Sequence, residues 1–125
     1  MEVEEVQPMQ EEAPKGELAF LLQYSGRLPE DVGFLTNHMV ERRLANLMKD
    51  SFAVLSTKTA YSTPIAVEPT HGFISAKYFN DKKRQDLASM IIIDAANDVF
   101  WVYYYNGDQL VKFTDNPSTA MPATP

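Results

Sequence analysis

The chain has 125 residues, 45% of them hydrophobic, no cysteine and a formal net charge of −6. That length fits one domain with a core of its own. The acidity excludes a general nucleic-acid binder, which needs a basic face to neutralise phosphates, and the missing thiols exclude disulfides, thiolate metal sites and thiol catalysis.

Residues 1–16 hold Glu2, Glu4, Glu5, Glu11 and Glu12 before the first basic residue, Lys15, together with Pro8 and Pro14. They read as a disordered acidic tail, with a single α+β domain over residues 17–115 and a loose, Pro- and Thr-rich C-terminal tail over 116–125. Met1 is followed by acids, not by the basic start and apolar stretch of a signal peptide. The apolar runs fall short of the ~20 residues of a membrane span. If a leader has been removed, the expected location is periplasmic or envelope-associated, with a lipid-anchored precursor; otherwise it is cytoplasmic.

"ELAFLLQYSG" is too short to assign by period and suits either a strand or a short helix, ended by Gly26. "RLPEDVG" is turn chemistry. "TNHMVERRLANLMKD" is the clearest helix: Val40, Leu44, Leu47 and Met48 make one apolar stripe, Thr36 or Asn37 can cap its start, and Glu41, Arg42 and Arg43 lie off the stripe. "SFAVLST" continues as a second short helix that adds Phe52 and Leu55 to the same core, with Asp50 or Ser51 as its cap.

The period then changes to two. "TPIAVEPT" reads as a strand starting at Pro64, "HG" as a turn, and "FISAKYF" as the returning strand. "NDKKRQD" is a connector, "LASMIIID" a β-branched strand, and "VFWVYYYN" an aromatic strand joined through "NGD" to a last strand, "QLVKFT". The expected fold is α+β: an antiparallel β-meander of about four or five strands with a helix packed on one face.

No pattern of catalytic or metal-binding residues emerges. His38 and His71 read as surface and turn residues, and no two histidines have helical metal-ligand spacing. Asp94 and Asp98 flank a turn, where Asp is ordinary, and "NGD" lacks the further oxygens of a calcium loop. The expectation is no catalytic residue, no metal, no cofactor and no enzymatic activity. On the aromatic strand, Phe100, Val102 and Tyr104 share one face and Val99, Trp101, Tyr103 and Tyr105 the other. One face must be core; on the other, Trp101 and Tyr103 are candidates for a protein interface, or that face is covered by the helix and the N-terminal segment. The densest basic cluster, Lys82, Lys83 and Arg84, falls in the connector between Phe79 and Leu87. It is either a solvated turn or a binding loop held by a rigid scaffold. As a binding loop it comprises Phe79, Asn80, Asp81, Lys82, Lys83, Arg84, Gln85 and Asp86.

The run "RRLANLMKDSFAVLSTKTAYSTPI" followed by "GFISAKYFNDKKRQDLASMIIIDAANDVFWVYY" resembles the inhibitor of vertebrate lysozyme (Ivy) family of small bacterial envelope proteins and their lipoprotein relatives. The likeness runs through Arg43 and Leu44 with Leu47, then Phe52 with Leu55, Pro64 and Ile65, and Ile74 to Ala76. It continues through the polar loop to Ile93 and Asp94 with Asn97, Phe100 and Val102. The resemblance implies an inhibitory loop at residues 79–86. That family closes the loop with two cysteines around a Lys-Pro-His type segment; here Phe79 and Arg84 stand near the cysteine positions, and no His or Pro lies between Tyr78 and Asp86. The loop's position carries over, and its chemistry does not.

The functional expectation is a protein that binds a lysozyme-like or other peptidoglycan hydrolase and occludes its cleft, as a lysozyme inhibitor or as an immunity protein against a hydrolase toxin. Its basic loop would face the catalytic carboxylates such enzymes carry. The alternative is a non-enzymatic adaptor or assembly module that binds another protein, or a second copy as a homodimer, through a sheet edge or the Tyr-rich face. An enzyme built around Asp94 is the third reading.

Overall fold

The computed structural model describes residues 18–115; the expected tails over 1–16 and 116–125 lie outside them. The fold is α+β. A 3₁₀ helix, Ala19–Tyr24, resolves the ambiguous "ELAFLLQYSG" as helical. Three α-helices follow: α1 (Pro29–Val32), α2 (His38–Met48) and α3 (Ser51–Ser56). Six strands complete the described residues: β1 (Tyr61–Ser62), β2 (Ala66–Val67), β3 (Ile74–Phe79), β4 (Leu87–Asp94), β5 (Val99–Asn106) and β6 (Gln109–Thr114). They form one antiparallel sheet in the order β1-β3-β4-β5-β6, with β2 also paired to β3.

Helix α2 forms where its sequence pattern places it. The Asn37 carboxamide oxygen accepts hydrogen bonds from the backbone N–H groups of Met39 (3.0 Å) and Val40 (3.2 Å), satisfying two donors that a helix start leaves unpaired. Val40, Leu44 and Met48 are buried against the sheet, and Leu47 packs at the edge of that core. The helix stops at Lys49, whose backbone turns to φ 53°. Asp50 stands at the cap position of α3 but makes no side-chain capping bond.

The sheet departs from expectation in one place. Within "TPIAVEPT" only Ala66–Val67 (β2) is strand; β1 precedes the segment, and Pro64 lies in neither. Proline gives no N–H to a ladder. Its neighbour Ile65 turns away, donating its N–H to the Arg27 carbonyl (2.8 Å) and accepting from Gly26 N–H (2.7 Å). The break therefore ties the 3₁₀ segment's exit to the sheet.

Alternation then sorts side chains onto two faces. Ile74, Ala76, Tyr78, Ile91, Ile93, Phe100, Val102 and Tyr104 join the helices in the main core. Met90, Ile92, Val99, Trp101 and Tyr103 form a second cluster on the opposite face, flanked by Phe73 and Leu110. Among the described residues, no helix contributes to that second cluster.

One polar device ties the helical layer to the far end of the sheet. The Arg43 guanidinium, on α2, donates to the carboxylates of Asp98 and Asp115, donates to the Asp98 carbonyl (3.1 Å), and sits 4.7 Å from the Phe100 ring centroid. The other Asp115 oxygen accepts from Phe100 N–H (3.1 Å). Burial alone would lower the guanidinium's pKa; its bonds to Asp115 and Asp98 outweigh this and raise it. Asp98 reaches this position with a positive φ of 59° in the β4–β5 turn.

Arg43→Ala is expected to cost about 1–3 kcal/mol, because both carboxylates lose their partner together with a ring contact. Arg43→Lys should recover less than half of that, since an ammonium lacks the planar fork that bridges two carboxylates. Urea denaturation of the three proteins checks both expectations.

Candidate partner-binding site

In a meander, alternate connections lie at the same end of the sheet. The β3–β4 loop (residues 80–86) and the β5–β6 turn at Gly107 and Asp108 therefore sit together. Gly107 takes a positive φ of 66° at the first central position of a two-residue hairpin, as the sequence pattern requires. Lys58, just past α3, joins them: the Ser89 hydroxyl on β4 donates to the Lys58 carbonyl (2.8 Å) and fixes the helix exit at this end. Lys58, Asn80, Asp86, Leu87, Tyr105 and Asp108 border a polar cleft of about 520 Å³ beside the loop.

The loop is closed at its base and filled by its own polar groups. Asn80 N–H donates to the Asp86 carbonyl (2.8 Å), and the Asn80 carboxamide donates to the Asp86 carboxylate (2.9 Å). One Asp81 oxygen accepts from the N–H groups of Gln85 (3.0 Å) and Asp86 (3.3 Å). Arg84 N–H donates to the Asp81 carbonyl (3.2 Å). Just before the loop the β3–β4 register shifts: Tyr78 pairs with Ser89 and Phe79 with Leu87, which leaves Ala88 as an extra residue. A bulge there bends the strand into the loop.

The three basic residues do not share one role. Arg84 folds back: its guanidinium donates to the Ser62 carbonyl on β1 through two nitrogens (3.1 and 2.9 Å) and to the Lys82 carbonyl (3.1 Å). Its left-handed backbone, φ 59°, costs a non-glycine residue roughly 1–2 kcal/mol, which these bonds offset. Lys82 and Lys83 are exposed, and no carboxylate among the described residues pairs with either. The loop's acids accept from its own backbone and amide donors, and its three basic residues outnumber them.

The Arg84 clasp continues inward. The Ser62 hydroxyl donates to a Glu30 carboxylate oxygen (2.7 Å). That bond is the largest cause of a lowered Glu30 pKa, with further lowering from Glu30's own backbone N–H and from the charge of Arg84; desolvation opposes them.

Two of the expected contact residues are elsewhere. Trp101 and Tyr103 are 0% and 1% exposed, inside the second hydrophobic cluster, so the expectation that they present surface to a partner is corrected. Their β5 face is covered and not open, and burial raises the Tyr103 pKa. Phe79 is half-buried at the loop's entrance and belongs to neither cluster. Lys58, Tyr105 and Asp108 were not singled out as site residues from sequence. Topology could have pointed to the last two, since the "NGD" turn must lie at the same end as the loop. Nothing in the local sequence around Lys58 signals its place.

Asp94 and Asp98 do not form a carboxylate pair. Asp94 is buried and accepts from the N–H (3.2 Å) and side chain (2.8 Å) of Asn97, which is turn chemistry, while Asp98 pairs with Arg43. His71 is exposed, stacked on Phe73 at 5.0 Å and hydrogen-bonded to Glu68. The described residues contain no cluster of three or more His, Cys, Asp or Glu able to hold a metal. No helix among them is long and apolar enough to cross a membrane.

No protein-family model, no curated protein and no solved structure matches this chain. The likeness to the lysozyme-inhibitor family thus rests on the residue pattern alone.

Arg84→Ala should loosen the loop without unfolding the domain. The expected result is faster hydrogen exchange at the Asn80, Gln85 and Asp86 amides, with exchange in β4 and β5 little changed. A separate expectation concerns Glu30. Its folded pKa is lowered, so its contribution is fully present above the ordinary Glu range, about 4.3, and is lost as pH falls through the folded value. Glu30→Gln should remove that portion of the acid sensitivity, with a loss under about 1 kcal/mol at neutral pH given the group's exposure. Urea titrations across the acid range measure it.

Proposed function

We propose that this chain is a non-enzymatic, protein-binding inhibitor that inserts the 80–86 loop into an acidic cleft of its partner. The observation that carries the reading is the loop's construction. Asp81, Asp86 and Arg84 are spent on internal and β1 bonds, so that a closed loop presents Lys82 and Lys83 outward. A loop ordered before contact loses less conformational entropy on binding, and its cations steer it toward an anionic cleft. Hydrogen bonds here take the place of a covalent closure.

The partner class is a lysozyme-like or other peptidoglycan hydrolase. Such enzymes hold a pair of carboxylates in an open cleft, and the loop occupies the position implied by the resemblance to the lysozyme-inhibitor family. The immunity role, against a hydrolase toxin, shares the same chemistry and suits the altered loop. Either role places the protein in the bacterial envelope.

A second reading has one specific support. Among the described residues strand β6 ends the sheet order, and its Gln109–Phe113 stretch suits an adaptor or homodimer that adds a strand there. The Tyr-rich face no longer favours that reading, because Trp101 and Tyr103 are buried.

An inhibition assay against a panel of lysozymes and peptidoglycan hydrolases tests the proposal. Lys82→Glu combined with Lys83→Glu is expected to weaken inhibition of the sensitive enzyme by at least about tenfold, and the wild-type effect should diminish with added salt. Undiminished inhibition by the double variant would remove the loop mechanism. Failure of the wild type to bind any enzyme in the panel would favour strand addition at β6.

A further inference from the structure

The second hydrophobic cluster poses a covering problem. Met90 and Ile92 on β4, with Val99, Trp101 and Tyr103 on β5, are at most 7% exposed, and they are buried within a single copy of the chain. A sheet face is buried by a layer packed about 10 Å away. The helices give their buried apolar side chains to the main core, on the other face. On this face Phe73, 5.5 Å from the Trp101 ring, and Leu110 stand at the margins, and both are only partly buried. Among the described residues no other apolar side chain packs against the cluster.

A second copy of the chain does not answer this, because the face is already buried in one copy. The cover therefore comes from the chain's own terminal segments, 1–17 or 116–125. The N-terminal segment fits poorly. It joins the described residues at Leu18, which is buried in the main core on the opposite face. It also carries Glu2, Glu4, Glu5, Glu11, Glu12 and Glu17, and burying carboxylates without partners is costly. The C-terminal segment begins beside the cluster: Thr114 is the cross-strand partner of Trp101, and Asp115 follows it. "NPSTAMPATP" has no charged side chain, and its one large apolar side chain is Met121. Pro117, Pro122 and Pro125 favour an extended chain and bring no N–H to be left unpaired over an apolar surface. Residues 116–125 reach about 33 Å when extended, whereas β3 to β6, spaced about 4.8 Å apart, span about 14 Å.

We propose that residues 116–125 form an intramolecular strap that crosses the second face of the sheet and seats Met121 on Trp101. The thioether and the indole ring make a favourable sulfur–aromatic contact, and the extended backbone shields Ile92, Val99 and Tyr103. The strap holds closed an aromatic face that, uncovered, would be a surface for protein association. The proposal does not depend on the 80–86 loop or on its partner.

Trp101 is the only tryptophan, so its signals report on this face alone. In the intact protein, nuclear Overhauser contacts are expected between the Trp101 ring and the Met121 methyl group. Met121→Asp in the full chain should shift Trp101 emission to the red, raise its quenching by acrylamide several-fold and add binding of a hydrophobic dye. Amide exchange in α2 should stay as in the wild type, which separates a lifted strap from global unfolding. Met9→Asp, in the N-terminal segment, should leave Trp101 emission and quenching unchanged. Trp101 contacts to residues 1–17 and none to 116–125 would overturn the proposal, and so would a red shift in Met9→Asp with none in Met121→Asp. Wild-type Trp101 as open to acrylamide as free tryptophan would overturn it as well.

Discussion

The structure depends on one constraint: β4 is paired on both sides and covered on both faces. Every residue from Ala88 to Asp94 is buried. A strand in that position needs apolar side chains at successive positions, and "MIII" provides them, sending Ile91 and Ile93 to the helical core and Met90 and Ile92 to the second cluster. Its registers with β3 and β5 follow, because a one-residue slip would exchange the two faces. The polar residues at its ends have assigned tasks. Ser89 holds the exit of α3 through Lys58, and Asp94 closes the turn to β5. With the central strand fixed, the β3–β4 loop and the β5–β6 turn are delivered to one end of the sheet.

At that end, polar chemistry does what a covalent closure would otherwise do. Asp81 and Asp86 are charged groups in a loop with three basic residues, and both accept hydrogen bonds from the loop itself. Arg84 has the opposite history: it looks like part of the basic surface but anchors the loop to β1. The Ser62 carbonyl receives that anchor while its hydroxyl holds Glu30, so a continuous chain of bonds runs from the loop through β1 to α1. Side chains in such a chain act together, and loosening one end changes the geometry available to the other.

The parts legible in the sequence were those decided within one or two turns of chain. The α2 stripe, the Asn37 cap, the "NGD" hairpin and the two-face sorting of β5 all follow from period and local hydrogen bonding. Single-strand treatment of "TPIAVEPT" failed because Ile65 finds its partners at Gly26 and Arg27, far back along the chain. Trp101 and Tyr103 illustrate a different limit. Alternation placed them correctly on the face opposite Phe100, but whether that face is covered is not a property of the strand.

Sequence alone determined helix α2, the strands from β3 to β6, and the concentration of positive charge between β3 and β4. Those are consequences of side-chain shape, backbone chemistry and composition, which neighbours along the chain set. Only the tertiary structure decided which charges are free. Arg84 reaches a carbonyl 22 positions away, and Arg43 reaches carboxylates 55 and 72 positions away. A guanidinium's role is set by the acceptor it meets, and chain folding brings that acceptor to it; this is why Arg84 is bound to β1 beside the exposed Lys82 and Lys83.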